Sequence, residues 1–194
     1  MSSRYGSKRT IQTRPIIPII EIVCDDTRTA VEYFRLLKQE VHGKKIVNVV
    51  PAPKAGATAD DVLGMARTPS PEDKQDKSFA LIDIDTNPDV ISIKKKAQIK
   101  QVHVLFSNPC FEVWTLAHLQ NTGEAFLNCN AVLTRLKQKW KEEFGSDLGP
   151  KAQARYENLV EKRNIAITNC KSRNPNTDQS WTEVWHAVEK ILRE

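Results

Sequence analysis

Apolar positions along the chain form short runs that alternate with helical stripes. Ile19 to Cys24 is a run of mainly Ile and Val, and Pro18 stands at its start, where a strand tolerates it. Asp25, Asp26 and Thr27 break the run. Ala30, Phe34, Leu37 and Val41 then recur at the spacing of one helical face, which His42 and Gly43 close. Lys45 to Val50 reads as a second strand. Between residues 52 and 78 Ala, Gly, Pro, Ser and charged residues dominate around Val62, Leu63 and Met65, so the expectation is a loop carrying a short helix. A third strand is predicted over Ser78–Ile84, a basic helix over Pro88–Lys100, a fourth strand over Val102–Phe106 and a helix over Phe111–Leu119. From residue 125 only helical spacing remains. Ser180 and Glu183 read there as a capping box for a last helix whose stripe is Trp181, Val184, Trp185, Val188, Ile191 and Leu192.

Strand and helix alternating in this way predict an α/β fold: a mostly parallel sheet flanked by helices, with a helical C-terminal extension. The expected organisation is a basic N-terminal arm over 1–14, an α/β core over 15–120 and an extension over 121–194 packed on the core. No apolar run approaches the roughly 20 residues needed to span a bilayer, and no export signal follows the basic start, so a cytoplasmic protein is expected. The cysteines (Cys24, Cys110, Cys129 and Cys170) form no CxxC pair, and in that compartment buried free thiols are the expectation.

Charge changes the picture through its distribution. The chain carries 29 Lys plus Arg against 24 Asp plus Glu, only a mild basic excess. The cations cluster, however, at Arg4, Lys8, Arg9 and Arg14, at Lys94, Lys95, Lys96 and Lys100, and at Arg135, Lys137, Lys139 and Lys141. Each cluster reads either as a solvated face or as a contact for phosphates; three together make a nucleic-acid ligand the hypothesis to test.

The acids collect elsewhere. Ligands in open α/β sheets bind beyond the carboxyl ends of the strands. Asp25 and Asp26 follow the first predicted strand, Asp83 and Asp85 the third, and Glu112 the fourth. Carboxylates held together repel unless a proton or cation intervenes, and oxygen donors suit Mg²⁺ or Mn²⁺. In a continuing strand Asp83 and Asp85 point to one face and reach one ion. The same residues also serve as turn formers and helix caps, and Glu112 suits a first helical turn. Among the histidines, His118 is assigned to packing, His103 to core or a cross-strand contact, and His186 to the surface. No P-loop, GxGxxG or nucleophile–His–Asp arrangement is present, so no ATPase chemistry is expected of this chain.

The run Cys24-Asp-Asp-Thr-Arg-Thr-Ala-Val-Glu-Tyr-Phe34 resembles the first motif of RloB-like proteins, Cys-Glu-Gly-Glu-x-Thr-Glu-x-x-Tyr-Phe. Asp83 and Asp85 are similar to that family's DxD. Ser107-Asn-Pro-Cys-Phe-Glu-Val-Trp-Thr-Leu-Ala-His118 is similar to its Ser-Asn-Pro-x-Phe-Glu-x-Trp-x-x-x-His, and Ala166 to Thr177 to its tail. The resemblance, which extends to AbiLii-type abortive-infection proteins, implies a Toprim core and Mg²⁺- or Mn²⁺-dependent cleavage of a nucleic-acid phosphodiester in antiphage defence. It implies a general acid/base at Asp25 or Asp26, metal held by Asp83, Asp85 and Asp25, and a supporting role for Glu112. Lys94, Lys95, Lys96, Arg135 and Lys139 are the expected phosphate contacts. A separately encoded ABC-type ATPase is the partner implied. The sequence departs from the motif where Asp25 replaces Glu, Asp26 replaces Gly, and Ala30 replaces the Glu after the motif's Thr. A shortened acid at that position leaves open a non-cutting module that binds nucleic acid or the ATPase. A small-molecule-binding α/β protein is the third possibility.

Overall fold

The computed structural model describes residues 17–69, 76–121, 123–148, 156–173, 175 and 178–193. The expected basic arm over 1–14 lies outside the described residues. Five strands form one sheet in the order β2-β1-β3-β4-β5. They are β1 (Ile19–Val23), β2 (Ile46–Val50), β3 (Lys77–Asp83), β4 (His103–Asn108) and β5 (Trp181–Thr182). β1 pairs in parallel with β2 and β3, and β3 in parallel with β4; β5 alone runs antiparallel, against the end of β4. This is the α/β, mostly parallel architecture that the alternating pattern predicts, in keeping with a Toprim-like fold.

Period-two alternation assigns each strand residue to one of two layers. Ile20, Ile22, Phe79, Leu81 and Leu105 face one side, against α1 (Thr29–Glu40), α4 (Glu112–Ala117), α6 (Arg163–Lys171) and α7 (Val184–Leu192). Val23, Ala80, Ile82 and Phe106 face the other, against α2 (Ala59–Met65) and α3 (Val90–Lys100). Helix α5 (Cys129–Phe144) packs on α4 through Val132 and Leu136, over a third apolar cluster that includes Cys110, Val113 and Leu116. Burial of apolar surface on both faces of the sheet is what makes its central strands near-continuous hydrophobic runs.

Three expectations need correction. The segment beyond residue 125 is not helical only, because Trp181 and Thr182 add a strand to β4. That pairing extends β4 to Asn108, two residues past the predicted end. The Ser180–Glu183 capping box does not form. Ser180 Oγ instead accepts from the Phe126 amide at 2.9 Å, and Glu183 clamps β4: its amide donates to Phe106 O at 2.9 Å while its Oε2 accepts from Phe106 N at 3.0 Å. A serine and glutamate three apart satisfy the capping pattern, but long-range backbone partners outcompeted the local ones. Trp181 is therefore a strand residue of the buried α2/α3 layer, and Trp185 is only partly buried. His103 is exposed; its ring meets that of its cross-strand neighbour Phe79 at 5.5 Å, so it is a cross-strand residue and not a core one.

The free-thiol expectation holds for half of the cysteines. Cys24 and Cys170 are free and buried, whereas Cys110 and Cys129 form a disulfide. Packing of α5 on α4 brings their Cα atoms to 5.6 Å, inside the range a disulfide spans. The separation in sequence carried no trace of that proximity.

The Glu183 clamp gives a stability test. Glu183→Ala leaves the Phe106 amide without its acceptor and is expected to cost about 1–3 kcal/mol in urea denaturation, with Glu183→Gln recovering most of it. Equal losses in the two variants would contradict the hydrogen-bond account.

Candidate active site

The carboxyl ends of β1 and β3 lie side by side, and each delivers an aspartate to the same edge. β1 ends at Val23, and Cys24 holds the exit by donating its amide to Val50 O at 2.9 Å. The next residue, Asp25, turns its Oδ2 onto the backbone amide of Asp83, at 2.7 Å. Asp83 closes β3 opposite Ser107, on the face shared with Phe79 and Leu81. Glu112 opens α4 just beyond the end of β4. Asp25, Asp83 and Glu112 thus come from three strand ends: Asp25 feels the charge of Glu112, and Asp83 feels the charge of both Asp25 and Glu112.

Titration follows from that convergence. Burial pushes Asp25 up to about 7, opposed by the hydrogen bond from the Asp83 amide and reinforced by negative charge on Asp26 and Glu112. Asp83 is raised well above the ordinary carboxylate range, first by burial and then by Asp25, Glu112, Asp85 and Asp26. The edge therefore holds acids that resist full ionisation unless positive charge is supplied. Their donor set is all oxygen, the chemistry of a hard divalent cation.

Other acids play parts different from those expected of them. Asp26 accepts the Ala30 amide on Oδ2 at 3.1 Å, so it closes the first turn of α1, while its Oδ1 is buried without a hydrogen-bond partner. Burial raises its carboxyl too, against the pull of the helix's first amides. Asp85 does not continue the strand. The chain turns at Ile84–Thr86, with Asn87 N bonded to Ile84 O, and the Thr86 hydroxyl and Asn87 side-chain amide both bind Asp83 O. Asp85 is thus exposed beside Asp83 rather than stacked on the same strand face. Among the described residues, the group of three acid, Cys or His donors lying mutually within 4.8 Å is Cys110, Glu112 and Cys129, not the aspartates. Sequence reasoning included Glu112 but missed the two cysteines; Cys110, two residues before Glu112, was the available signal.

The basic residues are divided between the two faces of the sheet. Lys94 sits over the Phe106 ring at 5.6 Å, Lys96 pairs with Asp60 at 2.7 Å, and Lys95 is exposed, all on α3. On α5, across the sheet, Arg135 pairs with Glu124 and Lys139 with Glu142 at 2.6 Å. Three of the five candidate phosphate contacts therefore already meet a carboxylate. Two clefts, of about 560 and 910 Å³, open around Lys77 and His103, and none of the acidic-edge residues lines either of them.

Beneath the acids lies an aromatic plug. The Tyr33 ring meets the edges or faces of Phe34, Phe111, Trp114, His118 and Tyr156 at centroid distances of 5.1–6.0 Å. A family model for RloB-like protein matches residues 20–191. The chain belongs to the RloB-like family. No curated protein and no solved structure matches it significantly. Tyr33 of the first motif-like run thus packs against Phe111, Trp114 and His118 of the Ser-Asn-Pro segment, joining the two segments that carry Asp25 and Glu112. No helix among the described residues is long and apolar enough to cross a membrane.

His118 belongs to that plug. It is 2% exposed, its Nδ1 donates to Trp114 O at 2.9 Å, and its Nε2 has no partner. Burial, together with the Arg163 charge, pulls it down from 6.5 to about 4. The native state therefore holds the neutral ring. This contribution is complete above about 6.5 and is lost as pH falls through the window down to about 4, a loss on the order of 3 kcal/mol. The urea stability of wild type relative to His118→Gln should shrink across that window. A difference independent of pH would refute the buried neutral histidine.

Proposed function

We propose that this protein is a divalent-metal-dependent nuclease of the Toprim type, cutting a nucleic-acid phosphodiester in antiphage defence. The observation that carries the reading is the pair Asp25 and Asp83. Two strand ends bury their carboxyls at one edge, and burial first, then negative charge from neighbouring acids, raises both well above the ordinary range. The residues fit a Mg²⁺ or Mn²⁺ ion: Asp83 and Asp25 would hold it, with Asp85 and Glu112 reached through water. Such an ion polarises a phosphoryl oxygen and lowers the pKa of bound water. Asp25 also stands where the family's motif carries its general acid/base, and a carboxyl near neutrality can both take and return a proton.

The setting favours a polymer over a small metabolite. A small ligand is ordinarily enclosed by a cleft. Here the acids occupy an edge, and the two large clefts lie among other residues. A strand laid across such an edge meets Lys94 and Lys95 on one face, while Arg135 and Lys139 would have to exchange their carboxylate partners for phosphates. The ABC-type ATPase implied by the family would be a separate partner; the sequence carries no P-loop motif.

One observation favours a second reading, in which the domain binds without cutting. Asp26 fills the position of the motif's Gly and is committed to capping α1, and Asp25 is a methylene shorter than the motif's Glu. A misplacement of about 1 Å can cost on the order of 100-fold in rate.

Labelled DNA and RNA incubated with the full chain in Mg²⁺ or Mn²⁺ separate the two. Cleavage is expected, abolished by chelator and by Asp83→Ala, and lowered about 100-fold or more by Asp25→Ala. Binding that ignores chelator, with no cleavage in either metal, would establish the non-cutting module instead.

A further inference from the structure

The disulfide lies against an acid of the candidate site. Cys110 is 1% exposed at the end of β4, Glu112 begins α4, and Cys129 begins α5. One donor atom from each lies within 4.8 Å of the other two, and Cys129 Sγ stands 3.3 Å from Glu112 Oε2. Three segments meet here: the strand exit and two helix starts.

A disulfide is one of two redox states of such a pair. In the other, two sulfurs and a carboxylate oxygen face one another across a gap of a few ångströms. Tetrahedral zinc, with Zn–S near 2.3 Å and Zn–O near 2.0 Å, places its sulfurs roughly 3.8 Å apart and each sulfur roughly 3.5 Å from a carboxylate oxygen. The Cys129–Glu112 contact already has about that length. Opening the S–S bond to a non-bonded separation completes the donor triangle. We propose that the reduced protein binds a thiophilic divalent cation, Zn²⁺ by donor chemistry, through Cys110, Cys129 and Glu112.

The donor set separates this site from the aspartate edge. Two thiolates select a borderline-soft ion, whereas the all-oxygen edge takes a hard one. The site is backed by the apolar cluster of Val113, Leu116, Val132 and Leu136, which keeps solvent from its inner side. Cys129 and Glu112 are only partly buried, so the ion enters from their side and a water completes the fourth position. Binding releases the two thiol protons. Oxidation reverses it: the thiolates give two electrons to a low-molecular-weight disulfide, the S–S bond forms, Zn²⁺ leaves, and the oxidant takes up two protons to become two thiols. Glu112 is common to this site and the acidic edge, yet the inference does not depend on phosphodiester cleavage.

The test is a metal titration of the full chain, reduced and freed of reductant under anaerobic conditions. About one Zn²⁺ should bind per chain, measured against a chromophoric chelator, and Co²⁺ should give thiolate-to-metal charge-transfer absorption. Cys110→Ser and Cys129→Ser should abolish that absorption, and the disulfide form should show none of it. Glu112→Gln should keep the absorption while weakening affinity about 10-fold or more. Cys24→Ser and Cys170→Ser should change nothing. Because a serine variant can fail to fold, alkylation of Cys129 in the reduced wild type supplies a second readout: Zn²⁺ should protect it. Binding no tighter in the reduced wild type than in Cys110→Ser, charge transfer that survives that substitution, or alkylation unaffected by Zn²⁺ would each overturn the proposal.

Discussion

The burial of Asp25 and Asp83 at neighbouring strand ends is the constraint around which the carboxyl edge is organised. Two like charges forced together at the ends of neighbouring parallel strands destabilise the fold unless something offsets them. Part of the offset is local: the Asp83 amide donates to Asp25 at 2.7 Å, so one aspartate's backbone stabilises the other's side chain. The remainder is left to protons or a cation: burial first, then neighbouring negative charge, makes both carboxyls titrate high. Core packing has no use for such an arrangement. An apolar pair at these positions would fold with less strain, since buried charge is destabilising unless compensated. The placement is intelligible as a site held ready for positive charge.

Holding it ready requires rigidity from behind. Tyr33 and Phe34 come from the helix that follows Asp25, and Phe111, Trp114 and His118 from the segment that carries Glu112. Their edge-to-face contacts join the two acid-bearing segments beneath the site. The Arg163–Glu40 ion pair, with bonds of 2.9 and 2.6 Å, ties α6 to α1 on the same side. The segments that resemble RloB-like proteins thus have two physical parts, acids at the strand ends and rings that pack the segments together.

Much of this was legible in the chain. The Ile/Val runs and the Ala30–Val41 stripe located the parallel strands and α1, because burial on both faces leaves a pattern in composition. The positions of Asp25, Asp83 and Glu112 after those strands followed from the rule for open sheets. What failed was whatever depended on partners distant in sequence. Glu183 mimicked a cap and instead bonds Phe106, and Cys110 found Cys129 through helix packing, whereas Asp85 took the turn that stood as the alternative to its strand reading. Local pattern reports local energetics, and these residues take their roles from contacts that only the assembled fold supplies.

The exchange of Glu for Asp25 and of Gly for Asp26 can be weighed on the same terms. A shorter acid retreats from the edge, and here it retreats onto the Asp83 amide. A glycine at position 26 would free the backbone but leave the Ala30 amide without the carboxylate it now has. The two substitutions therefore fit one another: Asp26 anchors the start of α1 while Asp25 is drawn in against β3. Replacing either aspartate by an amide would remove that buried negative charge, so the pair keeps a charge that a cation would offset.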